Sequence, residues 1–547
     1  MVAPELINPI VLPMGLLVML TLPVFLYAEV HYRIPGLFSL LDQKEPEILF
    51  DTPHRIAPGQ DWPVLLLLKD AHRFPVQLDY CELILRRQNV QMHRVRIELD
   101  EFVQQAWWYR TFSIPSADLP FGPYQLDALL SYKVEGVCKV CKSDNYRFSS
   151  HAPFDVLLDQ TPLPAADHWY FGDLHFHSDA TSDQVEFGAP LPVTKQFSQA
   201  MGLHFFAVTD HSYDLDDLPD NYLQNDPDLT KWKKLNTDVK DLNQQGGNFL
   251  VLAGEELSVG NARGENVHFL ILNHSEFLQG DGDSAERWFD SRPTFGLDFV
   301  LQRLDSAALA FAAHPEAMPP LLQKLLIRRG KWNDADYDHP RLNGVQMWNG
   351  NRSQFLRSGY TRWRDLLLAD KRLTLVAGND AHGNFNRYRQ IGTPFLTMRE
   401  THSEVFGRTR TGLLIRPFFS FDAVLNALRN GRAIVTDGPF AQLCAHHSEG
   451  VAMIGDRFAT NSFREMEILV CSTPTFGAIE RVTLFVADIA AKMERPIYIL
   501  VAPGILNLHS TERINTLPNR GYFRLEVWSR KNSEFYLCLT NPIYFDL

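Results

Sequence analysis

The chain has little cysteine and no long run of one charge. Six cysteines in 547 residues cannot build the dense disulfide framework of small secreted domains. Cys138-Lys139-Val140-Cys141 is a lone Cys-x-x-Cys with no second pair at zinc-site spacing, and it reads as a hairpin pair. Cys81, Cys444, Cys471 and Cys538 read as small core residues or ordinary thiols. No Lys/Arg-rich run offsets the net charge of −13, which argues against a general nucleic-acid surface. There is no low-complexity tract and no convincing internal repeat. Gly-x-Ser-x-Gly and Gly-x-x-x-x-Gly-Lys-Ser/Thr are both missing, so no motif supports a serine nucleophile or a phosphate-cradling loop. What remains is a globular composition, 45% apolar and 21% charged, at a length that predicts about two to four domains.

Histidines and carboxylates, by contrast, fall at recurring places. Asp173-Leu174-His175-Phe176-His177 closes an apolar run, with Asp183 six residues beyond. On a strand His175 and His177 face the same way and can grip one transition metal. Further runs end in similar groups. His204 to Val208 leads into Thr209-Asp210-His211, and Phe249 to Ala253 into Gly254-Glu255-Glu256. His268 precedes Phe269 to Leu272, Ala308 to Ala313 leads into His314-Pro315, and Leu373 to Ala377 into Gly378-Asn379-Asp380-Ala381-His382. Helix-like segments lie between several runs, as at Val193 to Met201 and Phe299 to Asp305. Strands alternating with helices predict a parallel α/β sheet or barrel with its site at the C-terminal strand ends. Each histidine alone reads more simply as a core or surface residue; the argument lies in the joint pattern. His151, His274, His339, His402, His446 and His447 lack it and read as solvated or structural.

The ordered set His-x-His, Thr-Asp-His, Gly-x-Glu, His, Ala-His-Pro and Asp-Ala-His resembles the PHP (polymerase and histidinol phosphatase) family over roughly residues 165 to 440. The segment Phe421 to Arg432, followed by Ala433-Ile434-Val435-Thr436-Asp437-Gly438-Pro439, is similar to the carbaryl-hydrolase-like (CehA/McbA-type) branch. The resemblance implies an α/β fold, a distorted (β/α)7 PHP barrel, here flanked by β-rich, sandwich-like domains. It implies that His175, His177, Glu256 and Asp380 bind a first metal, that Glu256 bridges to a second on His268 and His314, and that Asp183, His211 and His382 hold a third. Asp179 competes with Asp183, since the family's acidic residue usually falls five positions after the second histidine, and Glu255 competes with Glu256. Asp210 reads as a partner that orients a histidine.

Two or three divalent ions are therefore expected; His and carboxylate donors suit Mn, Zn and Fe alike. Two cations at roughly 3.5–4 Å share and acidify a water, and the resulting bridging hydroxide attacks a phosphoryl or acyl centre. The expected activity is metal-dependent phosphoester hydrolysis. The alternatives are hydrolysis of a carboxylic ester, amide or carbamate at the same site, and a catalytically silent binding or scaffold module. The expected partner is a small, anionic substrate. Beyond the ligands, Asp210, Asn349 and Arg389 are the candidate catalytic-site residues; Asn349 follows the strand Val345 to Trp348, and Arg352, Arg387 and Arg389 could meet an anionic group.

Around this core, residues 45–160 read as a β-sandwich, with strands at Trp62 to Lys69, Gln77 to Arg86, Val90 to Leu99 and Gln125 to Val134. Residues 441–547 read as a second small β domain. Residues 1–40 form a hydrophobic segment. No charged residue occurs from Leu6 to Ala28, a stretch that would span about 35 Å as a helix. It reads as a membrane anchor on an otherwise cytoplasmic protein, with a buried hydrophobic arm and a cleaved signal as the alternatives.

Overall fold

The computed structural model describes residues 45–146, 149–181, 188–219, 221–283, 290–319, 321–392 and 397–547. The expected anchor at residues 6–28 and the candidate ligand Asp183 lie outside the described residues. Among those described, no helix is long and apolar enough to cross a membrane.

The site-bearing strands, in chain order, are β1 (Trp169–Asp173), β2 (Phe205–Val208), β3 (Leu250–Gly260), β4 (Asn266–Leu272), β5 (Leu309–Ala313), β6 (Gly344–Asn349), β7 (Thr374–Gly378), β8 (Arg410–Leu414) and β9 (Ala433–Thr436). They lie side by side in the order β7-β6-β5-β4-β3-β2-β1-β8-β9. Helical crossovers set the parallel pairs: Leu191–Met201 joins β1 to β2, and Thr230–Gln244 joins β2 to β3. Apolar side chains pack on both sides of this sheet, among them Phe205, Leu252, Leu270 and Phe311 in one cluster and Phe269, Ala312, Val345 and Leu375 in another. Such two-sided burial explains why these strands read as continuous apolar runs.

The expected (β/α)7 barrel is corrected by this topology. Strand predominates among the described residues, 46% against 16% helix. β3 and β4 form a hairpin instead of a helical crossover, because Asn261 folds the chain back: its side chain accepts bonds from Arg263 N and Glu265 N, and Gly264 takes φ +72°. β4 is therefore antiparallel to both β3 and β5. β8 and β9 are also antiparallel to their neighbours. The ladder then continues from β9 into Glu534–Thr540, Arg520–Lys531, Ala478–Asp488 and Met493–Val501, one mixed sheet of 15 strands. β7 comes beside this part of the sheet through side chains: Thr411 bonds both backbone groups of Ala377, and Asn541 both those of Leu375, at 2.8–2.9 Å.

The chain N-terminal to β1 forms two facing sheets. One pairs Glu47–Asp51, Trp62–Lys69 and Trp107–Ile114; the other centres on Val76–Arg87 and Gly122–Val134. Trp62, Phe50, Leu66, Leu83, Leu130 and Phe154 are buried between them. Cys138 is exposed and Cys141 buried on one edge strand, the opposed facing that an odd spacing gives on a pleated strand.

Candidate metal centre

The ends of β1, β2, β5 and β7, with the middles of β3 and β4, deliver their polar residues to one place. Beyond β1, the short strand Phe176–His177 pairs with Ala381–His382 in parallel register, His177 opposite His382. Their imidazoles consequently stack at 4.0 Å. Gly378 ends β7 where nothing larger fits, since a Cβ there would lie 2.7 Å from the His175 Cβ. His314 and Asp380 sit at φ +29° and +53°, the left-handed region that Asp and His tolerate better than most residues.

Glu256 and Asp380 are the centre's carboxylates. Glu256 Oε2 lies 3.2 Å from His175 Nε2, 3.4 Å from His177 Nε2 and 3.2 Å from His211 Nδ1. Its other oxygen lies 2.6 Å from His268 Nδ1 and 3.0 Å from His314 Nε2. Asp380 Oδ1 lies 3.0 Å from His177 Nε2 and 3.2 Å from His175 Nε2. Three interlocking groups result, each with its donor atoms within 4.8 Å of one another: His175, His177, Glu256 and Asp380; His177, His211 and His382; His211, Glu256 and His268. His314 reaches the centre through Glu256 without joining a group.

The donor set fits metal ions. These clusters can hold a metal, because buried carboxylates and imidazoles turn their lone pairs inward at ligand spacing. Glu256 Oε2 and His177 Nδ1 are buried with no hydrogen bond among the described residues. The electrostatics agree. Burial opposes charge on both carboxylates, yet the surrounding imidazoles hold Glu256 and Asp380 well below the ordinary carboxylate range. Burial likewise opposes a charged His177, and Asp380 and Glu256 outweigh it, raising its proton affinity well above the usual value. His382, where burial prevails, is pushed down to about 3. A site that draws protons onto some imidazoles through its buried carboxylates is one in which cations can take their place.

Supporting residues fix the donors. Gln346 Oε1 accepts from His175 Nδ1 at 2.9 Å, which turns the Nε2 lone pair toward the centre. Gln346 Nε2 donates to Asn349 Oδ1, and Asn349 Nδ2 to Asp380 Oδ2, both at 3.1 Å. Asp173, fully buried, accepts from the backbone of His175, Asn379 and Gly407 and from Asn379 Nδ2. It thereby ties the His175 strand end to the Asp380 loop. Asp283 Oδ2 lies 3.1 Å from His268 Nε2, and Arg329 meets Asp283 at 2.5 Å while lying against the His268 ring. Burial works against its charge, but His268 and Arg329 hold Asp283 well below the ordinary range. Gln346 carries a sequence signal, a polar residue inside an apolar strand. Asp283 and Arg329 carry none.

Alternation along β3 separates the two competing glutamates. Glu256 faces the imidazoles; Glu255 faces away, within 3.4 Å of Ser212 Oγ, and burial pushes it up to about 8. Asp179 joins none of the donor groups. Asp210 does not orient a histidine: its carboxylate accepts from Ser178 N, Ser178 Oγ and Thr181 Oγ1 at 2.7–3.0 Å and holds the turn after His177. The expected arginines also lie elsewhere. Arg389 pairs with Asp144 at 3.1 Å, Arg387 donates to the carbonyls of Ala152 and Pro153, and Arg352 pairs with Asp437 at 2.6 Å. Arg387 and Arg389 serve the contact with the N-terminal sheets, which a linear reading of the loop cannot anticipate.

No protein-family model matches the chain, and no curated protein matches it. Solved structures align over most of its length at very low similarity. A β-glucuronidase of Parabacteroides merdae aligns at 9% identity and TM-score 0.18, covering 91% of this chain and 65% of that one. β-Glucuronidase 3 of Bacteroides uniformis aligns at 10% and 0.17, covering 91% and 63%. A cycloisomaltooligosaccharide glucanotransferase of Paenibacillus aligns at 10% and 0.17, covering 91% and 70%. The chain thus spans less than two thirds of the length of these glucuronidases, and similarity this low transfers neither fold nor function.

Proposed function

We propose that the chain is a metal-dependent hydrolase that carries two or three divalent ions, Mn, Zn or Fe, and cleaves a phosphoester. The carrying observation is Glu256, whose two oxygens face different imidazoles, His175, His177 and His211 at one and His268 and His314 at the other, so that one carboxylate could serve two ions held close together. His175, His177 and Asp380 with Glu256 would hold one ion, His268 and His314 with Glu256 another, and His211 and His382 a third. Such ions, when bound, supply Lewis acidity toward a substrate oxygen and a water. The protein's own residues do the positioning. Gln346 selects the His175 tautomer, Asn349 holds the outer oxygen of Asp380, and Asp283 aligns His268. The resemblance of the ordered motifs to those of the PHP family supports this reading.

Metal analysis with turnover assays decides the matter. Purified protein loaded with Mn, Zn or Fe is expected to retain at least two equivalents and to hydrolyse a model phosphodiester or monoester in preference to carboxyl esters and carbamates. His177→Ala and Asp380→Ala should abolish turnover while circular dichroism stays unchanged. A chain that holds no ion under any loading condition would sink the hydrolase reading and favour a binding module. Turnover of carboxyl esters alone would shift the substrate class and leave the centre standing.

A further inference from the structure

We infer that Asp51 is a positioning residue for the metal centre: through it the N-terminal sheets hold the segment that follows His382 and so align that imidazole with His177 and His211. The inference rests on the metal reading above and adds a role for a region that reading leaves idle.

His382 needs such support. It stands on a strand of two residues, Ala381–His382, whose ladder partner Phe176–His177 is equally short. A ladder this small holds the backbone under His382 weakly, although the imidazole Nδ1 also meets Asp380 O at 3.2 Å. The chain then turns at Gly383, φ +59°, packed against Gly188 and Ala189, and reaches Phe385. There the N-terminal sheets take hold. Phe385 N donates to Asp51 Oδ2 at 2.9 Å, while Thr52 N donates to Asp51 Oδ1 at 2.8 Å. His54 N donates to Phe385 O at 3.0 Å. Next along the chain, Asn386 Nδ2 donates to Asp155 O at 2.9 Å, Arg387 to the carbonyls of Ala152 and Pro153, and Arg389 pairs with Asp144. The Phe385 ring is buried against Phe176, Phe197 and Phe406, and Phe176 lies between His175 and His177.

Asp51 is itself fully buried. A carboxylate out of water is retained at a cost unless it makes specific bonds. Two sheets serving only as a spacer could meet this loop with apolar side chains. Instead, bonds from several of their segments converge on the stretch behind one candidate ligand.

The test compares variants of the full chain by metal titration and thermal melting. In Asp51→Ala, the ion held by His211 and His382 should bind about 10- to 100-fold more weakly, the usual effect of losing a group that positions a ligand. The remaining ions should keep wild-type affinity. Asp51→Asn retains a carbonyl acceptor for Phe385 N–H and should restore most of the binding. Leu66→Ala, in the core of the same sheets, should lower Tm without touching metal affinity. Wild-type metal binding in Asp51→Ala would overturn the inference, as would loss of the same ion to the same degree in Leu66→Ala. Should Asp51→Ala not fold, Asn386→Ala, which deletes one bond of the same set, is read by the same two outcomes. A wild-type chain that binds no ion overturns the metal reading, and this inference with it.

Discussion

Among the described residues, two places bring histidines around a glutamate, and one of them has the makings of a metal centre. On the sheet that begins at Phe440, Glu467 Oε2 meets His446 Nε2 and Glu467 Oε1 meets His509 Nε2, each at 2.8 Å. All three side chains are about a third or more exposed. Each carboxylate oxygen there serves one imidazole, and the three residues do not form a metal-sized group among the described residues. At Glu256 each oxygen is approached by two or three imidazoles and is sealed from water. Residue type is the same in both places. Convergence and burial differ, and these turn a hydrogen-bonded cluster into a cation site, because a buried carboxylate must find positive charge while an exposed one is satisfied by water.

The sharpest way to break this contrast is to remove one negative charge from each place. Glu256→Gln should strip metal from the protein and lower turnover by at least about a thousandfold, some 4 kcal/mol of barrier. Glu467→Gln should leave metal content and turnover at wild-type levels. Inductively coupled plasma analysis beside a steady-state assay reads both, and metal loss in Glu467→Gln would erase the distinction.

A smaller effect is expected one step outside the ligands. Asp283→Asn keeps the shape of the His268 partner but removes its charge, and it leaves Arg329 facing a neutral group. Metal affinity should fall about 10- to 100-fold, with the loss confined to the ion on His268. Unchanged affinity would mean that Asp283 serves Arg329 and Ser258 and not the imidazole.

The contrast also marks what could be read from the chain alone. His175, His177, His211, Glu256, His268, His314, Asp380 and His382 were legible because each stands at or near the end of an apolar run, and the fold brings those places together. Strand direction was not legible. Two-sided burial makes parallel and antiparallel strands look alike, so the β3–β4 hairpin passed for separate α/β units and a barrel was expected. Glu256 and His268 still converge, because a hairpin lays them on neighbouring strands. Arg387 and Arg389 misled for a related reason. From the chain they are loop arginines near a candidate ligand, and only the distant sheets around Asp51 and Asp144 reveal their partners. Asp283 and Arg329 left no periodic signal, since both lie outside the regular strands.

The smallest expected effect tests whether the Glu467 cluster is merely a surface interaction. Hydrogen bonds from His446 and then His509 hold the Glu467 carboxyl below its usual value of 4.5. A carboxyl depressed in the folded state adds stability that is fully present above the unfolded value, near pH 4.5, and is lost as pH falls through the folded value. Solvent screening limits that contribution to under about 1 kcal/mol. Melting curves of wild type and Glu467→Gln should therefore differ by no more than about 4 °C at pH 6, with the gap closing toward pH 3 and shrinking in 1 M salt. A gap that persists at pH 3, or that widens when metal is added, would contradict a solvent-screened pair. It would make the Glu467 cluster a second buried-type site, and convergence would no longer be what separates it from Glu256.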